Sequence, residues 1–121
     1  MPTLYERLGG APAVEAAVDI FYRRVLADGR IARFFDNVNM EEQIAKQKAF
    51  LTMAFGGPNK YTGKDMREAH KRLVAKGLND MHVDAVVENL SSTLRQLGVG
   101  EKDVLEVAAL ANSVRDDVLD R

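Results

Sequence analysis

Residues 39–55 read NMEEQIAKQKAFLTMAF. At about 100° per residue Met40, Ile44, Phe50, Leu51, Ala54 and Phe55 share one arc, the pattern of an amphipathic helix with a buried face. Gln47 falls in the middle of that arc, Gln43 lies one turn earlier near its edge, and Lys46 flanks it. An amide buried without a partner costs on the order of 1–3 kcal/mol. This face must therefore meet something polar, and a loop carbonyl reached across the core is the simplest partner for Gln47.

Outward from this helix, the chain divides at glycines. Thr3-Leu-Tyr-Glu6 has capping-box spacing and opens a short helix that stops at Gly9-Gly10. From Pro12 to Ala27, Val14, Ala17, Val18, Phe21, Tyr22, Val25 and Leu26 recur at helical spacing. Tyr22 sits at the edge of this face, where its ring can join the core only if its hydroxyl finds a partner. Ile31, Phe34 and Phe35 form an apolar corner before Asn39, which is placed to cap the helix with Glu42 in the reciprocal position. Gly56-Gly57-Pro58 ends the helix, and the loop GGPNKYTG (56–63) carries one large side chain, Tyr61.

A weaker helix is expected over 64–76, with Met66, His70, Leu73 and Val74 on one face. His70 takes a core position there, whereas His82, at the start of the next helix, is expected at the surface. Val83, Val86, Val87, Leu90 and Leu94 mark that helix, which Gly98 and Gly100 end. Val104, Leu105, Val107, Ala108, Ala111, Val114, Val118 and Leu119 predict one final helix to the carboxyl terminus. No segment alternates at period two, so an all-α domain is expected, a single unit over 1–121. Two long helices near the start would face two near the end. The loop and the weak helix would cross one side, leaving a space between His70 on one wall and Gln43, Lys46 and Gln47 on another.

Composition narrows the chemistry. With 121 residues the chain suits one domain, and with no cysteine it offers no disulfide, thiolate metal site or thiol nucleophile. The 17 Lys and Arg are balanced by 18 Asp and Glu and are scattered rather than striped, which gives nucleic-acid binding no support. No apolar run has the length of a signal peptide or a membrane span, so a soluble cytoplasmic protein without membrane contact is expected. Two histidines far apart make a catalytic zinc site improbable, and no HExxH, P-loop or nucleophile-elbow pattern is present. A haem, in contrast, needs a single axial histidine and a large apolar slot, and a bound diatomic ligand gains from hydroxyl and amide donors in a dry pocket.

The residues carry a resemblance. LYERLGG (4–10), DIFYRRVLAD (19–28), ARFFDNVNM (32–40), QIAKQKAFLTMAFGGP (43–58), YTGK (61–64) and MREAH (66–70), in this order and spacing, are similar to the group I truncated haemoglobins, short globins folded as a two-over-two helical sandwich enclosing a haem. The resemblance implies a non-covalently bound haem b with His70 as the proximal iron ligand. It implies Tyr22, Gln43 and Gln47 as the distal hydrogen-bonding set and Phe35 as the ring wedged against the haem. Tyr61 and Lys64 would lie near the propionates, and Phe50 and Met66 would line the pocket. The glycine pairs at 9–10 and 56–57, with Gly63, would permit the tight corners of the shortened fold.

Two departures from the cyanobacterial members matter. Some carry a histidine near the carboxyl terminus that attaches to a haem vinyl group, where this chain has about Val114, so covalent attachment is not expected. The same members place an iron-ligating histidine where Lys46 stands. Lys46 would either bind iron as a neutral amine or stay charged and reach a propionate or solvent. The ligands implied are O2, NO, CO and cyanide. Three functions fit: dioxygenation of nitric oxide by a monomer served by an unidentified external reductase; storage, transport or sensing of oxygen; and six-coordinate electron transfer.

Overall fold

The computed structural model describes residues 3–36, 38–57, 71, 74–75 and 77–119. Six α-helices and one 3-10 helix have described bounds: α1 Leu4–Leu8, α2 Ala11–Leu26, the 3-10 helix Ala32–Phe35, α3 Met40–Ala54, α4 Asp80–Gln96, α5 Glu101–Ser113 and α6 Arg115–Val118. Helix α2 packs against both α3 and α4, α4 packs against α5, and α5 touches α3. The helices thus form two pairs, α2 with α3 and α4 with α5, laid against each other. Among the described residues no helix is long and apolar enough to cross a membrane.

Local sequence explains the helix ends. Thr3 Oγ1 accepts from the Glu6 amide at 3.2 Å, and Asn39 Oδ1 accepts from the Glu42 amide at 3.2 Å, so each satisfies an orphan N–H of a first turn. At the other end of α1, Gly9 and Gly10 adopt φ of 109° and 75°, a left-handed corner that a side chain would strain. The corner after α3 is tight for another reason. Tyr5 N donates to Phe55 O at 2.8 Å and draws α1 over the end of α3. A Cβ at Gly57 would meet the Tyr5 ring at 2.7 Å and Thr52 Cγ2 at 2.9 Å.

The core of α2 follows the sequence pattern, with Val14, Ala17, Val18, Phe21, Tyr22 and Val25 all buried. Leu26 does not follow it and is 49% exposed, because α2 ends there and Ala27 and Asp28 turn the chain away. The turn is knotted by Asp28. Its carboxylate accepts from the Arg30 amide at 3.0 Å, from the Arg30 guanidinium at 2.7 Å and from Asn89 Nδ2 of α4 at 3.0 Å. These bonds, the Arg30 guanidinium first, hold the Asp28 carboxyl well below the usual carboxylate range. The knot sets the 3-10 helix against α4, with Ile31 and Phe34 buried.

Near the carboxyl terminus the structure corrects the expectation of one continuous helix. The helix breaks at Val114, between α5 and α6, and Leu105, expected on its apolar face, is 59% exposed. Asn112 Nδ2 and Ser113 Oγ bond back to the carbonyls of Ala108 and Leu110, which competes with propagation of the helix. Arg115 then clamps α6 to the start of α4, reaching Asp80 Oδ1 at 3.1 Å, Asp84 Oδ1 at 2.6 Å and Asn112 Oδ1 at 2.6 Å. The loop GGPNKYTG and the weak helix expected over 64–76 lie largely outside the described residues, of which Lys71, Val74 and Ala75 are helical.

The Gly57 contact predicts that Gly57→Ala lowers stability by about 1–3 kcal/mol, the usual cost of overpacking a close contact. Gly29→Ala, where nothing lies within 4 Å of an added Cβ, is the control. Denaturant midpoints measure the difference, and equal midpoints for the two variants would mean that the α1–α3 corner yields without cost.

Candidate functional site

The fold brings the polar residues of α2 and α3 together. The Tyr22 side chain is 5% exposed, and its ring meets Phe21 at 5.2 Å and Phe35 at 5.7 Å, both edge-on. Its hydroxyl accepts from Gln43 Nε2 at 3.1 Å and donates to the Gln43 carbonyl at 3.4 Å. The inward-pointing hydroxyl that the α2 pattern demanded therefore finds its partner on α3. The sequence pointed to Gln47 as the amide deepest in the apolar arc, but Gln43 makes the contact, one turn nearer the 3-10 helix that carries Phe35. Gln47 is half-buried, Lys46 is exposed, and Phe50 lies in the core at 7% exposure. Met40 and Ile44 pack against the core while remaining only partly buried, so the first half of α3 shares its inner face with the site.

Phe35 links this polar pair to an apolar cleft. Ile31, Phe34 and Phe35, Leu78 before α4, His82, Val83 and Val86 on α4, and Val118 on α6 line a partly open cleft with a cavity volume of about 70 Å³. These residues lie on four separate segments, and only Phe35 among them was expected in the site. His70, expected on the opposite wall, Tyr61 and Lys64, expected near the propionates, and Met66, expected to line the pocket, lie outside the described residues.

His82 is a correction. Expected at the surface, it is 4% exposed, and its ring packs edge-on against Phe34 at 4.7 Å. It takes the third position of α4, where Nδ1 accepts the Asn79 amide at 3.0 Å while Asn79 Oδ1 accepts the Met81 amide at 3.0 Å. Burial, reinforced by the nearby Arg33 guanidinium, holds its pKa below the ordinary histidine value. The ring is therefore neutral near pH 7, with its proton on Nε2 because Nδ1 is the acceptor. A signal was present in the sequence. Asn79 and His82 have the spacing of a capping box, in which the third residue turns back over the helix start rather than outward.

The chemistry of the described lining suits a largely apolar group. The described lining is apolar, and a hydroxyl with an amide partner waits behind the aromatic ring that borders it. A buried hydrogen-bonding pair beside an apolar cleft is the donor set a small polar ligand needs, so these residues fit haem and a diatomic molecule.

Comparison with known proteins agrees. Residues 3–120 match the bacterial-like globin family. The chain is 59% identical over 114 residues to the group 1 truncated hemoglobin GlbN of Synechocystis sp., covering 93% of this chain and 92% of that protein. It is 48% identical over 118 residues to the group 1 truncated hemoglobin of Tetrahymena thermophila, covering 98% and 95%. Among solved structures, the 2/2 hemoglobin of Synechococcus sp. PCC 7002, in the cyanomet state and with covalently attached heme, superposes with a TM-score of 0.91 at 48% identity, covering 99% of this chain and 100% of that one. Globin membership implies haem as the cofactor and small gases such as O2 as ligands. A polar pair on α2 and α3, an apolar cleft against α4 and two facing helix pairs are thus the parts of a known architecture: the chain belongs to the bacterial-like globin family, as a group 1 truncated haemoglobin with the two-over-two fold.

Proposed function

We propose that this chain binds one haem b without a covalent link, stabilises bound O2 through Tyr22, Gln43 and Gln47, and serves in the dioxygenation of nitric oxide. The observation that carries the reading is the Tyr22–Gln43 pair held behind Phe35 at the border of the apolar cleft. Haem bound there supplies an iron atom that takes a diatomic ligand and exchanges single electrons. By position in the family motifs, His70 is the proximal ligand. Phe35, Phe50 and Met66 contact the ring, and Tyr61 and Lys64 lie near the propionates.

The chain's own groups do the rest. Gln43 Nε2 donates to the Tyr22 oxygen at 3.1 Å, which orients the hydroxyl and polarises its O–H bond. The hydroxyl also lies 3.4 Å from the Gln43 backbone carbonyl, and a polar ligand would compete with that contact for its proton. Gln47, half-buried one turn further along α3, supplies a second amide donor. The apolar lining of the cleft excludes water and strengthens these bonds. Nitric oxide, O2 and one electron together give nitrate, and an external reductase of unidentified type supplies the electron. Storage, transport or sensing of oxygen, and six-coordinate electron transfer, remain the alternatives that use the same donors.

Attachment and Lys46 follow from side-chain chemistry. The Synechococcus neighbour has covalently attached heme. Val114, at about the position of the attaching histidine, offers no nitrogen to add to a vinyl group. Ligation by Lys46 requires the neutral amine, and its exposed position on α3 keeps the ammonium hydrated, which favours the role toward propionate or solvent.

Haem content, ligand kinetics, nitrate formation and the ferric spectrum test the reading. The purified protein shows a Soret band with about one haem per chain, extracted fully into acidified butanone, and His70→Ala loses haem or needs added imidazole to hold it. Haem that stays with the polypeptide after extraction would contradict the non-covalent assignment. With a reductant supplied, the haem-loaded protein converts nitric oxide to nitrate in the presence of O2. Tyr22→Phe speeds O2 dissociation by a few-fold to about tenfold, as loss of about 0.5–1.5 kcal/mol requires. Gln43→Leu combined with Tyr22→Phe is non-additive because the two share one bond. Absence of nitrate with rapid O2 binding would move the function to storage or sensing. The ferric spectrum is high-spin at neutral pH and unaffected by Lys46→Ala, whereas a low-spin spectrum abolished by that substitution would make Lys46 the sixth ligand.

A further inference from the structure

His82 is unusual in joining two tasks at one ring. One nitrogen closes the helix start, through the Asn79 amide at 3.0 Å, and the ring packs on Phe34 at 4.7 Å and forms part of the cleft wall. Leu78 precedes this cap and Val83 and Val86 follow it, and all three line the same cleft. The position of half the described wall therefore depends on whether the first turn of α4 is held.

Protonation opposes that arrangement in three ways. A proton on Nδ1 turns the acceptor into a donor facing the Asn79 N–H, so the capping bond is lost. The charge would stand at the positive end of the α4 dipole, where cations are unfavourable. It would also lie near Arg33, whose guanidinium sits 4.2 Å from the centroid of the Phe34 ring that His82 packs against. The carboxylates in reach on its own helix are otherwise engaged: Asp80 and Asp84 are paired with Arg115 of α6. The remaining charges of α6 are Asp116 and Asp117, and among the described residues burial and Arg33 act on the ring with no carboxylate offsetting them.

We propose that His82 is a positioning residue of the haem cleft: its neutral imidazole pins the first turn of α4 so that Leu78, Val83 and Val86 wall the cofactor, and its protonation frees that wall and speeds haem loss. The inference rests on the haem-binding reading above and adds to it a residue outside the ligand set. The sign is fixed by linkage. A histidine whose folded pKa lies below its unfolded value stabilises the fold fully above the unfolded value of 6.5, and that stability is lost as pH falls from there toward the folded value.

The test follows haem transfer from the loaded protein to an excess of apomyoglobin between pH 8 and pH 4.5, in wild type, His82→Gln and His82→Phe. Glutamine keeps an acceptor for the Asn79 amide and cannot titrate. Phenylalanine keeps the ring against Phe34 and loses the cap. Wild type and His82→Gln are expected to release haem alike at pH 8. Below about pH 6.5 wild type should pull ahead, by up to about tenfold per pH unit while the linked proton is taken up. His82→Phe should be faster than both at pH 8, and its pH profile should run parallel to that of His82→Gln. Any acid release through the proximal ligand is common to all three and cancels in the comparison. Superimposable wild-type and His82→Gln profiles would overturn the proposal. Should either variant fail to fold, the imidazole resonance of His82 in the haem-loaded wild type decides: titration coupled to lost protection of the amides at residues 81–83 is expected, and titration without that loss would overturn it. Failure of wild type to take up haem at pH 8 is seen before any pH series and overturns the haem reading and this assignment together.

Discussion

An apolar cleft between helices tends to close, because every Å² of facing hydrocarbon gains about 25 cal/mol on leaving water. A chain of this length can keep such a cleft only if its walls are fixed by contacts that do not depend on filling it. Here those contacts lie at the ends of the elements. Asp28 ties the turn after α2 to Asn89 of α4, and Arg115 ties α6 to Asp80 and Asp84. The Tyr5–Phe55 backbone bond closes α1 over the end of α3. Between these ties stand Phe34, Phe35, Val83, Val86 and Val118, which line the cleft.

Most of these ties are weak taken singly. Exposed ion pairs such as Arg7–Asp103 and Arg95–Glu101 contribute little each, because water and salt screen the charges. Their value here is geometric. Arg115 reaches four oxygens on two elements, and Asp28 accepts from backbone, guanidinium and amide at once, so each limits the directions in which its segment can move. Asp28 also confers acid sensitivity. Because its folded pKa is depressed, its contribution is present above the ordinary carboxylate range and is lost as pH falls below it.

The same economy governs the site. Tyr22 is a core residue of α2 by burial and a hydrogen-bonding residue by chemistry, and Gln43 serves α3 and the site together. His82 caps a helix and lines the cleft. In a globin with this few elements, side chains near the cofactor space also hold the scaffold, so the consequences of changing them are read in stability as well as in ligand chemistry.

The helical periods, the caps at Thr3 and Asn39, the glycine corners and the need of the inward Tyr22 hydroxyl for a polar partner were legible in the residues, because each depends on neighbours within a turn or on the cost of burying an unpaired polar group, whereas the grouping of Tyr22 with the amides of α3 came from the family motifs. The family motifs carried the ligand set as far as His70, Tyr61, Lys64 and Met66, which lie outside the described residues. Which glutamine meets Tyr22 was decided by how α3 sits on α2, a matter of one helical turn that periodicity does not resolve. The burial of His82 against Phe34 and the exposure of Leu105 were likewise tertiary decisions, whereas Leu26 is exposed where its own helix ends and the break at Val114 follows local back-bonding by Asn112 and Ser113. A helical pattern states which side chains share a face, but only the packed neighbours state which part of that face is covered, and the cleft wall is assembled from segments as far apart as Ile31 and Val118.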